Sequence, residues 1–203
     1  MSKSDSTIPQ GFGHDCSERL PLPARETLNE AQRAAADALI KGPRKGVKGP
    51  FIPLLRSPDL LERVAKVGEY LRFEAALPTR VNEFVTLVVA RHTSNQFEWA
   101  IHYPLAVAAG TGTETLEDIA QGCWPRDMSY DESAAYDFAT ELLNRHGVSD
   151  MTYQRALLRW GEQGVVELTA LIGYFACVCW VMNVARTPAP HVPDVRPLQP
   201  FPA

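Results

Sequence analysis

The sequence lacks the features that mark several common functional classes. Its formal net charge is −4 and its basic residues are scattered apart from the segment 41–48, so no nucleic-acid-binding surface is expected. No window reaches the roughly 18 apolar residues of a membrane span. The most apolar stretch, 165–184, carries Glu167 and Asn183 and is predicted to be a buried helix. The first 25 residues lack the apolar centre of a secretory signal, so we expect a cytoplasmic protein.

Cysteine is scarce, and its spacing suits neither a metal centre nor a redox pair. The four cysteines are Cys16, Cys123, Cys177 and Cys179, and none of them forms a CxxC motif with another. Side chains two residues apart on a helix diverge by about 200°, so Cys177 and Cys179 would pair only if their helix were broken. We therefore predict buried structural thiols and no cysteine-based metal site.

Alternating strand patterns are also absent, and the hydrophobic periodicity predicts an all-α fold. Thr27 with Glu30 and Ser129 with Glu132 form candidate capping boxes. Ser57 followed by Pro58 is typical of a helix start. Pro104 is expected to kink its helix after His102. The predicted helices are 27–42, 58–74, 78–92, 95–110, 114–121, 129–147, 149–160 and 165–186.

The chain divides by composition into three parts. Residues 1–48 form an N-terminal extension with one helix, which is separated from the rest by a segment rich in Gly and Pro. Residues 49–187 form the helical domain. Residues 188–203 contain six prolines in sixteen residues and favour an extended conformation. This tail is expected either to be disordered or to lie over a neighbouring subunit.

Two carboxylates and an imidazole fall on two successive apolar helices. Asn95, Glu98 and His102 occupy positions i, i+3 and i+7, so they share one helix face, and Glu98 can contact His102. Glu83 lies on the preceding helix. This pattern suggests a proton-transfer site; the alternative is a buried hydrogen-bonded pair that only holds two helices in register.

Three motifs resemble the carboxymuconolactone decarboxylase and alkyl hydroperoxidase D family, from about Pro50 to Pro188. They are Leu77–Glu83 entering an apolar helix, Glu98–His102, and Gly164–Tyr174. The peroxidase branch of the family uses a helical Glu, a CxxC and a His four residues beyond it. Asn95 and Glu98 stand at the two cysteine positions here, so the chain resembles a branch without CxxC. The resemblance implies a multi-helix subunit that assembles into homotrimers or homohexamers without cofactors.

The resemblance also implies a chemistry. In the decarboxylase-like branch a carboxylated unsaturated lactone loses carbon dioxide, and a carbon of the product must then be protonated. His102 is the candidate acid, Glu98 is expected to orient its ring and raise its pKa, and Glu83 is either a second acid or base or an anchor for His102. Four further residues are predicted to contact the substrate, with Arg91 meeting its carboxylate: Arg91, Asn95, Trp99 and Tyr70. For the aromatic residues, a place in the core or at a subunit interface is the alternative.

Three functions follow as hypotheses. The first is a cofactor-free lyase or isomerase acting on a small lactone or unsaturated carboxylic acid, of the kind that occurs in aromatic compound catabolism. The second is a peroxidase or other oxidoreductase, which the missing CxxC disfavours because a carboxamide or carboxylate cannot replace a thiolate nucleophile. The third is an oligomeric protein that binds a small ligand without turning it over.

Overall fold

The computed structural model describes residues 7–11 and 15–200, and this part of the chain is mostly helical. Two short strands, β1 (Thr7–Ile8) and β2 (Ala189–Pro190), form an antiparallel pair, and one 3-10 turn spans Arg25–Thr27. The helices are α1 (Glu30–Lys41), α2 (Phe51–Leu54), α3 (Pro58–Phe73), α4 (Thr79–His92), α5 (Gln96–Ala108), α6 (Thr113–Gln121), α7 (Tyr130–Arg145) and α8 (Asp150–Ala185). The prediction of an all-α fold is confirmed.

Helix α4 forms the centre of the fold. Eleven of its fourteen residues are buried, and it packs against α5, α7 and α8. A helix surrounded on several sides needs apolar side chains around most of its circumference, which explains the nearly continuous apolar run in this segment. Phe84 and Leu87 are completely buried, and each contributes about 1.5–3 kcal/mol through removal from water.

One predicted capping box is confirmed and the other is wrong. Ser129 and Glu132 cap each other at the start of α7. At the start of α1 the reciprocal pair is Asn29 with Gln32. Thr27 instead ends the preceding 3-10 turn, where its hydroxyl donates to the carbonyl of Ala24. Asn29 accepts from the amide of Gln32 at 2.9 Å, and Asn is as good an N-cap residue as Thr, so the helix begins two residues later than predicted.

Two other backbone predictions concern Ser57 and Gly161. Helix α3 begins at Pro58 as predicted, although the Ser57 side chain makes no capping hydrogen bond. In α8 the predicted break occurs at Gly161 alone, with φ 67° and ψ −178°. Helix α5 continues through Pro104 to Ala108, and the kink expected after His102 stays a prediction.

Helix α8 is long and apolar enough to cross a membrane by length and composition. However, 56% of its most apolar window is buried inside the fold. The core helix of a soluble protein shows the same pattern.

The two ends of the chain pack against the helices. Helix α1 contacts α3 through a second apolar cluster that includes Leu39, Leu55 and Leu61. In the tail, Val195 and Leu198 are buried. The Gln96 side chain both donates to the carbonyl of Leu198, at 2.8 Å, and accepts from its amide, at 2.9 Å. The expectation of a disordered tail is therefore wrong for residues 188–200, because Gln96 pairs with the backbone of Leu198 and the apolar side chains are buried by the same chain. Contact of the tail with a neighbouring subunit stays a prediction.

Candidate active site

The turn between α4 and α5 fixes the start of α5, the helix that carries Glu98 and His102. Ser94 takes up a left-handed conformation, with φ 51°, and Asn95 caps α5 by accepting a hydrogen bond from the amide of Glu98 at 2.8 Å. The Asn95 side chain also donates to Oδ1 of Asn183 on α8 at 2.8 Å. Asn95 thus fixes the first turn of α5 against α8, and Glu98 lies in that turn.

Glu83, Glu98 and His102 come together in the interior. His102 Nδ1 lies 2.5 Å from Glu83 Oε2, and His102 Nε2 lies 3.1 Å from Glu98 Oε2. All three side chains are largely buried, and His102 is only 2% exposed. The edge of the Phe175 ring packs against the imidazole, with the centroids 5.2 Å apart. The imidazole is therefore held on both edges by carboxylates.

This geometry determines the favoured protonation state of His102. A neutral imidazole has one donor and one acceptor nitrogen, so it can donate to only one of the two carboxylates. The imidazolium donates to both. Burial alone would lower the pKa of His102, but the hydrogen bonds and negative charges of Glu83 and Glu98 outweigh it and raise the pKa above its usual value. The two carboxylates therefore favour the protonated form of the His102 ring.

Glu98 and His102 form part of the wall of a cavity of about 180 Å³. Its apolar wall includes Phe97, Ile101 and Phe175, and its other lining residues are Arg44, Gly46, Lys48, Pro50, Phe51, Arg72, Tyr174 and Val178. Burial raises the pKa of Tyr174 to about 12, so its hydroxyl stays protonated at neutral pH. A ligand in this cavity would therefore contact the His102 and Glu98 pair together with cationic and apolar side chains.

Sequence reasoning missed Arg44, Arg72 and Tyr174. Arg44 lies in the loop before α2, Arg72 lies near the end of α3, and Tyr174 lies on α8. The glycine at position 68 is the one signal in the sequence of this packing, since a Cβ there would lie 2.1 Å from the Tyr174 hydroxyl. The sequence alone carries no periodic signal that would join these segments.

The four predicted substrate contacts do not line this cavity. Arg91 donates to the carbonyl of Gln199 at 2.7 Å, and Trp99 donates through Nε1 to the carbonyl of Arg196 at 3.1 Å. Tyr70 donates to Glu167 Oε1 at 2.6 Å on the outer side of α3. Asn95 is the N-cap already described.

Arg91, Trp99 and Tyr70 face other parts of the fold than the His102 cavity, and the reason is physical. Sequence spacing gives the order of side chains along a helix but not which neighbouring segment each face meets. Arg91 and Trp99 face the C-terminal tail, where they border a second cavity of about 680 Å³, and Tyr70 faces a groove between α3 and α8. The prediction that they bind substrate in the His102 site is not supported by this geometry.

The cysteines are far from a redox arrangement. The prediction of buried thiols is right for Cys179 only: Cys123 and Cys177 are exposed and Cys16 is half-buried. Side chains two residues apart on α8 diverge, so Cys179 faces the core while Cys177 faces the surface. Burial raises the pKa of the Cys179 thiol well above its usual value, which disfavours the reactive thiolate. Across residues 7–11 and 15–200, no three His, Cys, Asp or Glu side chains are arranged to hold a metal ion.

No protein-family model and no curated protein matches this sequence. Solved structures nevertheless share its architecture. An uncharacterised peroxidase-related protein from Ralstonia eutropha JMP134, described as an alkylhydroperoxidase AhpD core, is 14% identical with a TM-score of 0.67. That match covers 86% of this chain and 92% of the other.

Two further structures give similar values. A protein of unknown function from Agrobacterium tumefaciens, described as a putative antioxidant defence protein AhpD, is 14% identical with a TM-score of 0.62, covering 71% of this chain and all of the other (100%). A peroxidase-related protein from Silicibacter sp. TM1040 is 12% identical with a TM-score of 0.65, over 86% and 92% of the two chains. The chain therefore has an AhpD-like helical fold, and at these identities the likeness is one of fold.

Proposed function

We propose that this chain is a carboxymuconolactone decarboxylase-like enzyme that performs cofactor-free proton transfer on a small lactone or unsaturated carboxylic acid. The observation that carries the proposal is the position of His102, bridged between Glu83 and Glu98 at the wall of a small cavity. A buried group with a shifted pKa beside a cavity is typical of acid–base catalysis.

The proposed decarboxylation needs only a proton donor and a site for the substrate. The bond between the substrate carbon and its carboxylate breaks, carbon dioxide leaves, and the bonding electrons move through the adjacent double bond. The carbon that receives them takes a proton from the pair formed by His102 Nε2 and Glu98, which faces the cavity. The site then regains one proton from water. Isomerisation would use the same pair to remove a proton and return it elsewhere.

Glu83 has a different role in this mechanism. Its oxygen lies 2.5 Å from Nδ1, on the edge of the ring away from Glu98, and it does not line the cavity. This position favours the role of an anchor over that of a second acid or base, because Glu83 fixes the ring and stabilises the imidazolium. Proton transfer from a His102 ring held in this way would contribute a factor on the order of 10²–10⁴ to the rate.

Two alternative functions differ in what they require. A thiol peroxidase requires a reactive cysteine pair, and the burial and raised pKa of Cys179 disfavour it. An oligomeric binding protein requires only the cavity. It would bind the same ligands without releasing carbon dioxide, so turnover separates it from the proposed enzyme.

We also propose that the protein self-associates as a homotrimer or homohexamer in the cytoplasm. Several large apolar side chains on the surface of α3 and α8 support association, since isolated subunits rarely leave such groups in water together. They include Val67, Phe73, Val166 and Trp180. Light scattering coupled to size-exclusion chromatography measures the mass, and a monomer at micromolar concentration would refute this proposal.

The function is tested by carbon dioxide release and product mass from 4-carboxymuconolactone and related lactone acids. The native protein is compared with His102→Ala and Glu98→Gln, and with His191→Ala as a control because His191 is exposed in the tail. We expect turnover by the native protein and the control, and a loss of about 10²-fold or more in both site variants. Equal turnover by the native protein and His102→Ala would overturn the proposal.

A further inference from the structure

We infer that Arg44 and Arg72 hold the carboxylate of an anionic ligand beside Glu98 and His102, so that the cavity selects small carboxylates over neutral molecules of the same shape. This inference rests on the proposed function, because it assigns the substrate class of the same site. It also gives the N-terminal segment a part in that site.

Charge along the cavity wall favours an anion. Three cationic side chains line the cavity, Arg44, Lys48 and Arg72, against one carboxylate, Glu98. The charge of Glu98 is already shared with the imidazolium of His102. An anionic ligand would therefore meet a wall with an excess of positive charge, in a partly desolvated place where charge pairs are strong.

Arg44 is held in place by contacts that do not use all of its donors. Its guanidinium lies 4.2 Å from the centroid of the Phe51 ring, and one terminal nitrogen donates to the carbonyl of Ala65 at 3.1 Å. Its nearest carboxylate, on Glu69, lies 3.8 Å from Nε, and Nε itself makes no hydrogen bond although it is buried. Arg44 also forms a hydrogen bond with the Tyr174 hydroxyl. A guanidinium has five N–H donors, so these contacts fix its position and leave some donors for a ligand.

Arg72 also has a buried donor nitrogen without a hydrogen-bond partner. Its guanidinium packs over the Phe73 ring at 5.1 Å, and its Nε is buried without a hydrogen-bond partner. Arg44 and Arg72 both line the cavity, so a carboxylate bound there would lie beside two guanidinium groups. The planar fork of a guanidinium matches the two oxygens of a carboxylate.

The size of the cavity limits the ligand. A cavity of about 180 Å³ is on the scale of a single five-membered ring with one carboxylate. The flat apolar groups Phe97 and Phe175 on the wall suit a planar ring.

The loop that carries Arg44 and Lys48 forms part of the cavity wall. Gly49 has φ 54°, and a Cβ there would lie 2.4 Å from the Phe97 ring. The loop backbone therefore packs directly on a residue of the cavity wall. Because this loop belongs to the segment before the helical domain, the site is incomplete without that segment.

The test uses the full-length protein and a matched pair of probes, 2-furoate and its neutral isostere 2-furamide, with binding measured by isothermal titration in a low-chloride buffer. We expect the native protein to bind 2-furoate at least about tenfold more tightly than 2-furamide. Arg72→Gln should weaken 2-furoate binding about tenfold or more and leave 2-furamide binding unchanged. Arg72→Lys should restore part of the difference, because it restores the charge.

Arg63→Gln is the matched control, because Arg63 lies on the same helix but is exposed. It should bind both probes as the native protein does. Far-ultraviolet circular dichroism and a thermal melt verify that each variant is folded, and Arg44→Gln provides a second, independent removal of charge. Equal affinity of the native protein for the two probes, or full 2-furoate binding by both glutamine variants, would overturn the inference.

Binding and turnover distinguish this inference from the proposed function. Selective 2-furoate binding that depends on Arg72, without carbon dioxide release from any lactone acid, would leave the anion site standing and refute the enzyme. Turnover that depends on His102 but has the same KM in Arg72→Gln would support the enzyme and refute the anion site.

Discussion

His102 Nδ1 on α5 lies 2.5 Å from Glu83 Oε2 on α4, in a contact that joins consecutive helices through the interior of the fold. The second ring nitrogen faces Glu98 one turn earlier on α5. Together these contacts tie the protonation of one side chain to the packing of two helices, and several measurable consequences follow.

Replacing Glu83 with Gln should lower the pKa of His102 and slow the reaction. Gln keeps the size of the side chain but removes the negative charge that stabilises the imidazolium. We expect kcat to fall on the order of 10²-fold. Nuclear magnetic resonance titration of the His102 ring protons measures the pKa directly. Glu114→Gln is the control, since Glu114 is exposed on α6; an unshifted His102 pKa in Glu83→Gln would contradict the account.

The stability that His102 contributes should depend on pH with a defined sign. Its pKa is raised in the folded state above the ordinary value of 6.5, so folding favours the protonated ring. The contribution is complete below pH 6.5 and is lost as the pH rises through the folded-state pKa. Urea unfolding of the native protein and His102→Gln at a series of pH values measures the difference in the free energy of unfolding. A difference that grows with pH above neutrality would be the wrong sign.

Two glycines on helices should respond in opposite directions to alanine. At Gly68 on α3, a Cβ would lie 2.1 Å from the Tyr174 hydroxyl and 3.0 Å from Arg44, so Gly68→Ala should destabilise the fold by about 1–3 kcal/mol. At Gly173 on α8 an added Cβ would meet no other part of the fold within 4 Å, so Gly173→Ala should stabilise the protein by about 0.5–1 kcal/mol. Chemical denaturation measures both. Equal effects would mean that Tyr174 does not pack on α3 as described.

Removing the Gln96 side chain should loosen the C-terminal tail. Gln96→Ala leaves the buried amide and carbonyl of Leu198 without their partners, and we expect a loss of about 1–3 kcal/mol. Limited proteolysis should then cleave the tail faster than in the native protein. Gln154→Ala, at an exposed position on α8, is the matched control. Unchanged cleavage would show that the tail is held by other contacts.

The sequence predicted the elements of the fold and the central pair of the site for a common reason. Helical periodicity, capping residues and the i, i+4 spacing of Glu98 and His102 are local, so they are readable along the chain. The proximity of Glu83 to His102 was predictable because only a short turn separates its helix from α5.

The remaining features depend on contacts between distant segments. Arg72 and Tyr174 meet in space through the packing of α3 and α8, which no local pattern specifies. The same limit explains why Arg91 and Trp99 were predicted to bind substrate, when in the fold they bind the backbone of the tail. Proline content indicated an extended tail but not that Leu198 would be buried by its own chain.

The most direct test is the protonation state of the His102 ring, observed by nitrogen-15 nuclear magnetic resonance of the native protein at pH 7. We predict an imidazolium with a proton on each ring nitrogen, and Glu98→Gln should weaken this state. A neutral ring with one unprotonated nitrogen at pH 7 would contradict the central claim that the two carboxylates hold a transferable proton on His102.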